Sequence, residues 1–540
     1  MIVSSTRHLM STISKTFHAC GCFLLPFLLV LWAAGAAATA EGEGPAAGAG
    51  DVVTYEAFGA VGDGVADDLP AIQRAHAYAN EHGLPVRSNP GATYHLGTRA
   101  ITVEIATDTD WGESRFIIDD SDGVENHRHP LFRVVSLLEP LPLEIETLES
   151  GQERIDVELP VDCLVYVENR NRRLFIRRGL NRNSGSVQRE VFVLRKDGTI
   201  FGGIDWDYEE VTRVEAMPID PETLVLRGGR FTSIANRIDQ EVGYNYSARN
   251  IEISRSNTLV EGVVLNVTGE TDVGHPYRGF LHVRRCAFVE LRNCTIDARK
   301  TYQTIGRAGS PVSMGTYGYQ ADFVVNLRMI GCRQGTDIHD RSRWGIAGTN
   351  FMKNVLLEDC ELSRMDVHQG VSGEYIIRRS TLGHAGLNAI GRGRLLVEDS
   401  ILHGTHLVSF RGDYGSKWDG VVEIRNSRWV PPADRVRRPV LFGMRNDGTH
   451  DFGYECHAPR EIRIDGLSID DSGRPENYEG PSFFGDPIGA DPGERPYPFR
   501  FGGVIQVSGL VTASGLPPTV SDRPEVEEAY EVKGEISFEG

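Results

Sequence analysis

Leu357 to Leu402 reads LEDCELSRMDVHQGVSGEYIIRRSTLGHAGLNAIGRGRLLVEDSIL, and one phrase occurs in it three times, twenty residues apart. The phrase is an apolar residue, two variable positions, Cys or Ser, and a further apolar residue: Leu357 to Leu362 around Cys360, Ile377 to Leu382 around Ser380, Val397 to Leu402 around Ser400. Working outward, it recurs at Leu291 to Ile296 around Cys294, at Met329 to Cys332 and at Ile424 to Ser427, with spacings of 38, 28 and 27 residues. Further rungs read at Leu224 to Phe231, Asn250 to Ser254, Glu461 to Asp465 and Val504 to Ser508. So short a unit cannot bury its own apolar face, so it must stack on its neighbours, with insertions leaving the stack as loops. Equivalent residues of successive coils then lie one strand spacing apart, roughly 4.8 Å. Cys294, Cys332, Cys360, Ser380, Ser400 and Ser427 form one column, and because serine takes the same place, small side chains inside the coil are expected there rather than disulfides.

The start of the chain supplies a cap. Residues 55–79 read YEAFGAVGDGVADDLPAIQRAHAYA. Gly62-Asp63-Gly64 is turn chemistry, Asp67 and Asp68 offer a helix N-cap, and Pro70 suits a first turn. Ile72, Ala75 and Ala79 recur at helical spacing until Gly83. The stretch resembles the opening of the pectate-lyase-like and rhamnogalacturonase-like β-helix proteins, Phe-Gly-Ala-x-Gly-Asp-Gly-x-x-Asp-Asp followed by a capping helix. The match covers about forty residues, and any repeat stack needs such a plug at its end. The resemblance and the repeat together imply an all-β chain: a single-stranded right-handed parallel β-helix, a solenoid with an N-terminal capping helix and a β-rich insertion.

The expected organisation has four parts. Residues 1–40, with Arg7, Lys15, an apolar run from Phe23 to Trp32 and a small-residue tail, read as a signal peptide. Residues 51–119 hold the cap and first coils, 120–215 break the rhythm as a β-rich insertion or accessory lobe, and 216–540 carry the β-helix with long loops at Pro431 to Arg438 and Asp471 to Pro498. Export implies a secreted protein, extracellular or periplasmic, with no stable membrane span once the leader is cleaved. The formal charge of −19, or −19 − 2 = −21 without Arg7 and Lys15, argues against a nucleic-acid partner.

Counting forward from each Cys or Ser aligns Asp337-Ile338-His339, Asp366-Val367-His368, Gly386-Leu387-Asn388 and His406-Leu407-Val408. Taking Ile338, Val367, Leu387 and Leu407 as inward puts two aspartates and two histidines outward on one face. Like charges stacked one rung apart repel, so the patch is unusual for a solvated sheet. Arg341, Arg343, His384, His403 and Arg411 follow nearby, Trp344, Tyr414 and Trp418 are candidate sugar-stacking rings, Asp447 is turn chemistry in Asn446-Asp447-Gly448, and His450 and Asp451 near that turn could extend the site. His339, His368, Asp337, Asp366, Arg341 and Arg411 are the catalytic candidates; Arg343, His384, Asn388, His406, Trp344, Tyr414 and Trp418 are the substrate-binding ones. The inventory serves β-elimination of a uronic acid, with histidine as base and arginine on the carboxylate. It also serves glycoside hydrolysis by Asp337 and Asp366, or carbohydrate binding without chemistry. The resembled superfamily hosts lyases, hydrolases, epimerases and tailspike adhesins, and fold does not decide among them. The polygalacturonase run of Asn-Thr-Asp, Asp-Asp and Gly-His-Gly is not found in order. No cofactor is expected; a divalent metal on His339, His368 and an aspartate is the one option the residue types leave open. The expected partner is a polysaccharide.

Overall fold

The structure, a computed structural model, describes residues 51–177, 183–240, 243–445, 451–487 and 499–534. The leader read at 1–40, together with Asp447 and His450, lies outside them. The described chain is all-β, dominated by one sheet system of 27 strands. Its centre is β1 (Leu281–Arg292), β2 (Tyr319–Ile330), β3 (Ala347–Glu358), β4 (Glu361–Arg378), β5 (Thr381–Ala389), β6 (Gly391–Glu398), β7 (Val408–Phe410) and β8 (Trp418–Trp429). β1 pairs with β2, β2 with β3 and β3 with β4, all parallel. β4 then pairs with β5 and β6, β5 with β7, and β6 with β8, so each turn of chain lies in register on the one before.

The register places the small residues in one column. Arg292 opposite Ile330 and Thr295 opposite Arg333 bracket Cys294 facing Cys332. Ile330 opposite Glu358 and Arg333 opposite Glu361 put Cys332 on Cys360. The same bracketing carries the column through Ser380, Ser400 and Ser427. The three cysteines are buried and free. Backbone N–H groups of Cys360, Ser380 and Ser400 donate to the hydroxyls of Ser380, Ser400 and Ser427 at 3.0, 3.1 and 3.2 Å. The residue just before each column member is held at positive φ: Asn293 +52°, Gly331 +63°, Asp359 +56°, Arg379 +44°, Asp399 +49° and Asn426 +42°. Asn, Asp and Gly tolerate that left-handed corner, which is why the second variable position of the phrase is drawn mostly from them.

At the N-terminal end α1 (Leu69–His82) lays Leu69, Ile72, Ala75, His76 and Ala79 on the first coil and stops at Gly83, φ +66°. Asp68 is its N-cap residue but makes no capping bond; its carboxylate accepts from Val61 and Gly62 N–H instead. Asp67 bridges Leu69 N–H and Gly97 N–H, and Gly62-Asp63-Gly64 runs into a short strand, Asp63–Asp67. The first coils enclose an aromatic core in which Phe116 and Phe231, register partners, stack 4.7 Å apart.

Phe132–Val134 still pairs with the coils; beyond it, Cys163–Leu174, Ser186–Leu194, Ile200–Phe201 and Arg213–Pro218 form a separate antiparallel sheet. That lobe has its own apolar cluster around Val165, Val167, Phe192 and Tyr208. In the stretch expected as loop, Ser482–Phe484 is a strand on Val440–Gly443. Near the C-terminus a short helix, Pro524–Ala529, leads into Tyr530–Gly534, which pairs with Gly503–Thr512. Among the described residues no helix is long and apolar enough to cross a membrane.

Candidate functional site

The corner between the small-residue column and the next strand varies in length, and that variation decides the site. Tyr319, Ala347, Met365, Leu387, Val408 and Phe442 are register partners on successive turns. From Cys360 to Met365 is 5 residues, from Ser380 to Leu387 is 7, from Ser400 to Val408 is 8, from Cys332 to Ala347 is 15 and from Cys294 to Tyr319 is 25. The sequence alignment assumed one length for all. Leu387 therefore faces Met365 rather than Val367, and Asp366 faces Gly348 and Asn388 rather than Asp337 and Gly386. Asp337 and His339 sit in an exposed turn inside the long corner, where the Asp337 carboxylate accepts from His339 N–H at 2.9 Å.

The face one position along from this column carries Gln320, Gly348, Asp366, Asn388 and Ser409. Asp366 is the centre of a closed network. Its side chain is 0% exposed, accepts from Tyr317 OH at 2.7 Å, Asn388 Nδ2 at 2.8 Å and Arg411 Nη1 at 2.9 Å to both oxygens, and forms an ion pair with Arg364 at 3.0 Å. Against the cost of burial, Arg364 and Arg411 hold its carboxyl well below the usual range. Arg411 also grips Asp413, at 3.0 and 2.9 Å.

His368, 26% exposed, lies beside this network with Nε2 3.6 Å from Asp366. Burial, then the Arg411 charge, pull its pKa down to about 4, so the imidazole is neutral at neutral pH. Arg177, from the antiparallel lobe, closes the group: it pairs with Asp413, donates to Tyr414 OH at 3.0 Å and lies 4.4 Å over the Tyr414 ring. Three arginines against two aspartates leave this cluster at 3 − 2 = +1 within a chain of −19. Two coils back, Asp322 gathers His282 at 2.7 Å, Gln320 at 2.9 Å and Asn350 at 2.7 Å.

The other expected residues are dispersed. His339 and His384 turn to a different pocket with His403 and Arg341, and Arg341 pairs bidentately with Asp434. Arg343 is bound to Glu270 at 2.5 Å. His406 contacts the Val440 carbonyl at 3.0 Å, and burial pulls its pKa down. Trp418 is a core residue against Tyr375 and Phe410, and Tyr414 is nearly buried, so neither offers an open ring face to a sugar. Trp344 is half-buried under Arg364, 5.1 Å from its ring. His339 and His368 are not brought together, and among the described residues no group of three or more metal-ligating side chains is placed to hold an ion.

Sequence reasoning missed Tyr317 and Arg177. Tyr317 sits in the longest corner, and Arg177 comes from the lobe, 189 residues before Asp366 in the chain, so no local pattern points to either.

No protein-family model matches the chain. A 94-residue stretch is 31% identical to the KL64-specific capsule depolymerase of Klebsiella phage P510, covering 15% of this chain and 9% of that much longer protein. Among solved structures, similarity reaches the tailspike gp49 of Pseudomonas phage LKA1, with TM-score 0.48 and 14% identity over 89% of this chain and 84% of that one. The Streptococcus pneumoniae surface adhesin PfbA gives TM-score 0.41 and 12% identity, over 84% of this chain and 100% of that one. The gp54 tailspike of Acinetobacter baumannii bacteriophage AP22, solved with a capsular saccharide, gives 0.40 and 12% over 85% and 70%.

Proposed function

We propose that the protein is a secreted right-handed parallel β-helix of the pectate-lyase-like kind that cleaves an acidic polysaccharide by β-elimination, with His368 as the base. The observation that carries this reading is His368 itself: a quarter-exposed imidazole, neutral at working pH, beside two arginines on a locally positive face. A general base must be unprotonated and reachable, and a uronate carboxylate needs a cation while its α-proton leaves. Arg364 and Arg411, each with part of its side chain exposed, supply the positive charge for that second part. In the proposed step His368 takes the proton α to the carboxyl, and that electron pair forms the C4=C5 double bond as the C4–O bond breaks. The departing oxygen takes its proton back from the imidazolium. Asp366 is a positioning residue here: ionised, enclosed and saturated with donors, it is poorly suited to act as nucleophile or acid in hydrolysis. The 94-residue likeness to a capsule depolymerase favours a glycan as the substrate.

Incubation with a panel of acidic polysaccharides tests the reading through ultraviolet absorbance of the conjugated unsaturated product and through reducing ends. Wild type should yield both signals, His368→Ala neither with its fold intact, and Asp337→Asn should behave as wild type. Reducing ends without the unsaturated product would overturn elimination in favour of hydrolysis. A non-catalytic binder is the second reading, favoured by the commitment of Arg177 and Arg411 to carboxylates already present; retention of a glycan with neither product would install it.

A further inference from the structure

A pocket separate from the Asp366 network is lined by His339, Arg341, His384, His403, Val430, Pro432 and Arg435, with a volume of about 210 Å³. Its histidines come from three turns of the stack: His339 from the long corner after Cys332, His384 from β5, two turns on, and His403 from just past Leu402 on the next. The rings of His339 and His403 meet edge to face, 4.6 Å between centroids. His384 is oriented by its Nδ1, 3.0 Å from the Ile338 carbonyl oxygen, which leaves Nε2 free for another partner.

The charged groups of the lining are the arginines Arg341 and Arg435, with Asp434 at their side. Arg341 is neutralised by Asp434, and Arg428, nearby, by Asp470 at 2.9 Å. Arg435 forms no ion pair among the described residues. Burial first, then the charges of His339 and Arg428, lower the pKa of His403. Among the described residues no ion pair engages these three imidazoles, and the one side-chain hydrogen bond of His384 uses Nδ1. Val430 and Pro432 add an apolar wall, and sugar-sized ligands are held in such pockets by a flat apolar surface plus a few convergent polar groups.

We infer that this pocket is a subsite for one carboxylate-bearing sugar unit, its carboxylate held by Arg435 and the imidazoles and its ring lying on Val430 and Pro432. The inference rests on the acidic-glycan reading above but not on any bond being broken. It names a place where a uronate is held without being cut.

Histidine-labelled full-length protein, followed by side-chain NMR during titration with glucuronate, glucose and inorganic phosphate, tests it. Signals are assigned by their loss in His339→Gln, His384→Gln and His403→Gln, and the His368 signal reports the cleavage site separately. Glucuronate should shift the three pocket signals saturably and glucose should not. Arg435→Gln should weaken the response about tenfold, as expected for one charge-assisted hydrogen bond. No saturable shift, an equal response to glucose, or phosphate binding as tightly as glucuronate would each overturn the assignment. A shift at His368 alone would leave the cleavage site standing and remove this one.

Discussion

Replacing Asp366 by alanine removes a side chain with no exposed surface, together with the acceptor of four hydrogen bonds and the partner of the Arg364 ion pair. Arg411 keeps Asp413, but Arg364 loses its carboxylate, and Tyr317 OH and Asn388 Nδ2 lose their acceptor. Breaking a buried ion pair from one side leaves an uncompensated charge and costs about 3–5 kcal/mol. The loss falls where β4 and β5 meet, so it should show first as local opening and only later in any global transition. Native-state hydrogen exchange on peptides spanning 361–389 should speed up by about 10²- to 10⁴-fold, at about 1.4 kcal/mol per decade, while peptides of α1 stay unchanged. Asp366→Asn, which keeps the volume and several of the bonds, should cost less than the alanine. If Asp366→Ala lowers local stability by under about 1 kcal/mol, the enclosed network is not what holds this face, and the positioning role assigned to Asp366 fails with it.

Three further outcomes follow from the same geometry. Buried His76 and part-buried His368 are held neutral, with pKa lowered to about 3 and about 4 from 6.5, so the unfolded chain binds more protons below pH 6.5; stability should rise as pH climbs from about 4 to 6.5, read as thermal midpoints, and His76→Gln should flatten that slope. Ser380→Ala leaves the Cys360 N–H without its hydroxyl acceptor and should cost about 1–3 kcal/mol in urea unfolding, with no loss if a backbone carbonyl moves in. Asp399→Val forces a β-branched residue to φ +49° and should cost about 1–2 kcal/mol, whereas Asp399→Gly should not.

The ladder was legible because its signal is local and repeated. An apolar, x, x, Cys-or-Ser phrase marks one strand end and one corner, and each copy repeats the same physical demand. The left-handed residue ahead of Cys294, Cys360 and Ser400 was in the phrase as Asn293, Asp359 and Asp399, though only the dihedrals show why a turn former belongs there. The cap helix was visible in its apolar spacing, but the roles of Asp67 and Asp68 were only partly so: Asp67 does accept from Leu69 N–H at the start of α1, while it also accepts from Gly97 N–H and Asp68 accepts only from Val61 and Gly62 N–H. The candidate site was only half legible. Asp366, His368, Asn388 and Arg411 do share one face, yet Asp337 and His339 were carried there by a count across a corner whose length changes from 5 to 25 residues. Trp418 read as a surface ring because nothing in its neighbourhood marks it as buried. Arg177 was out of reach, since only tertiary packing of the lobe brings it to Asp413.

That variable corner separates two kinds of change that most folds keep entangled. Lengthening it by ten residues leaves the next strand on the same partner, as the 15-residue and 5-residue corners show by delivering Ala347 and Met365 to adjacent places in one column. Insertions at this edge can therefore rebuild what the protein meets outside, one turn at a time, while the hydrogen-bonded spine beneath registers nothing.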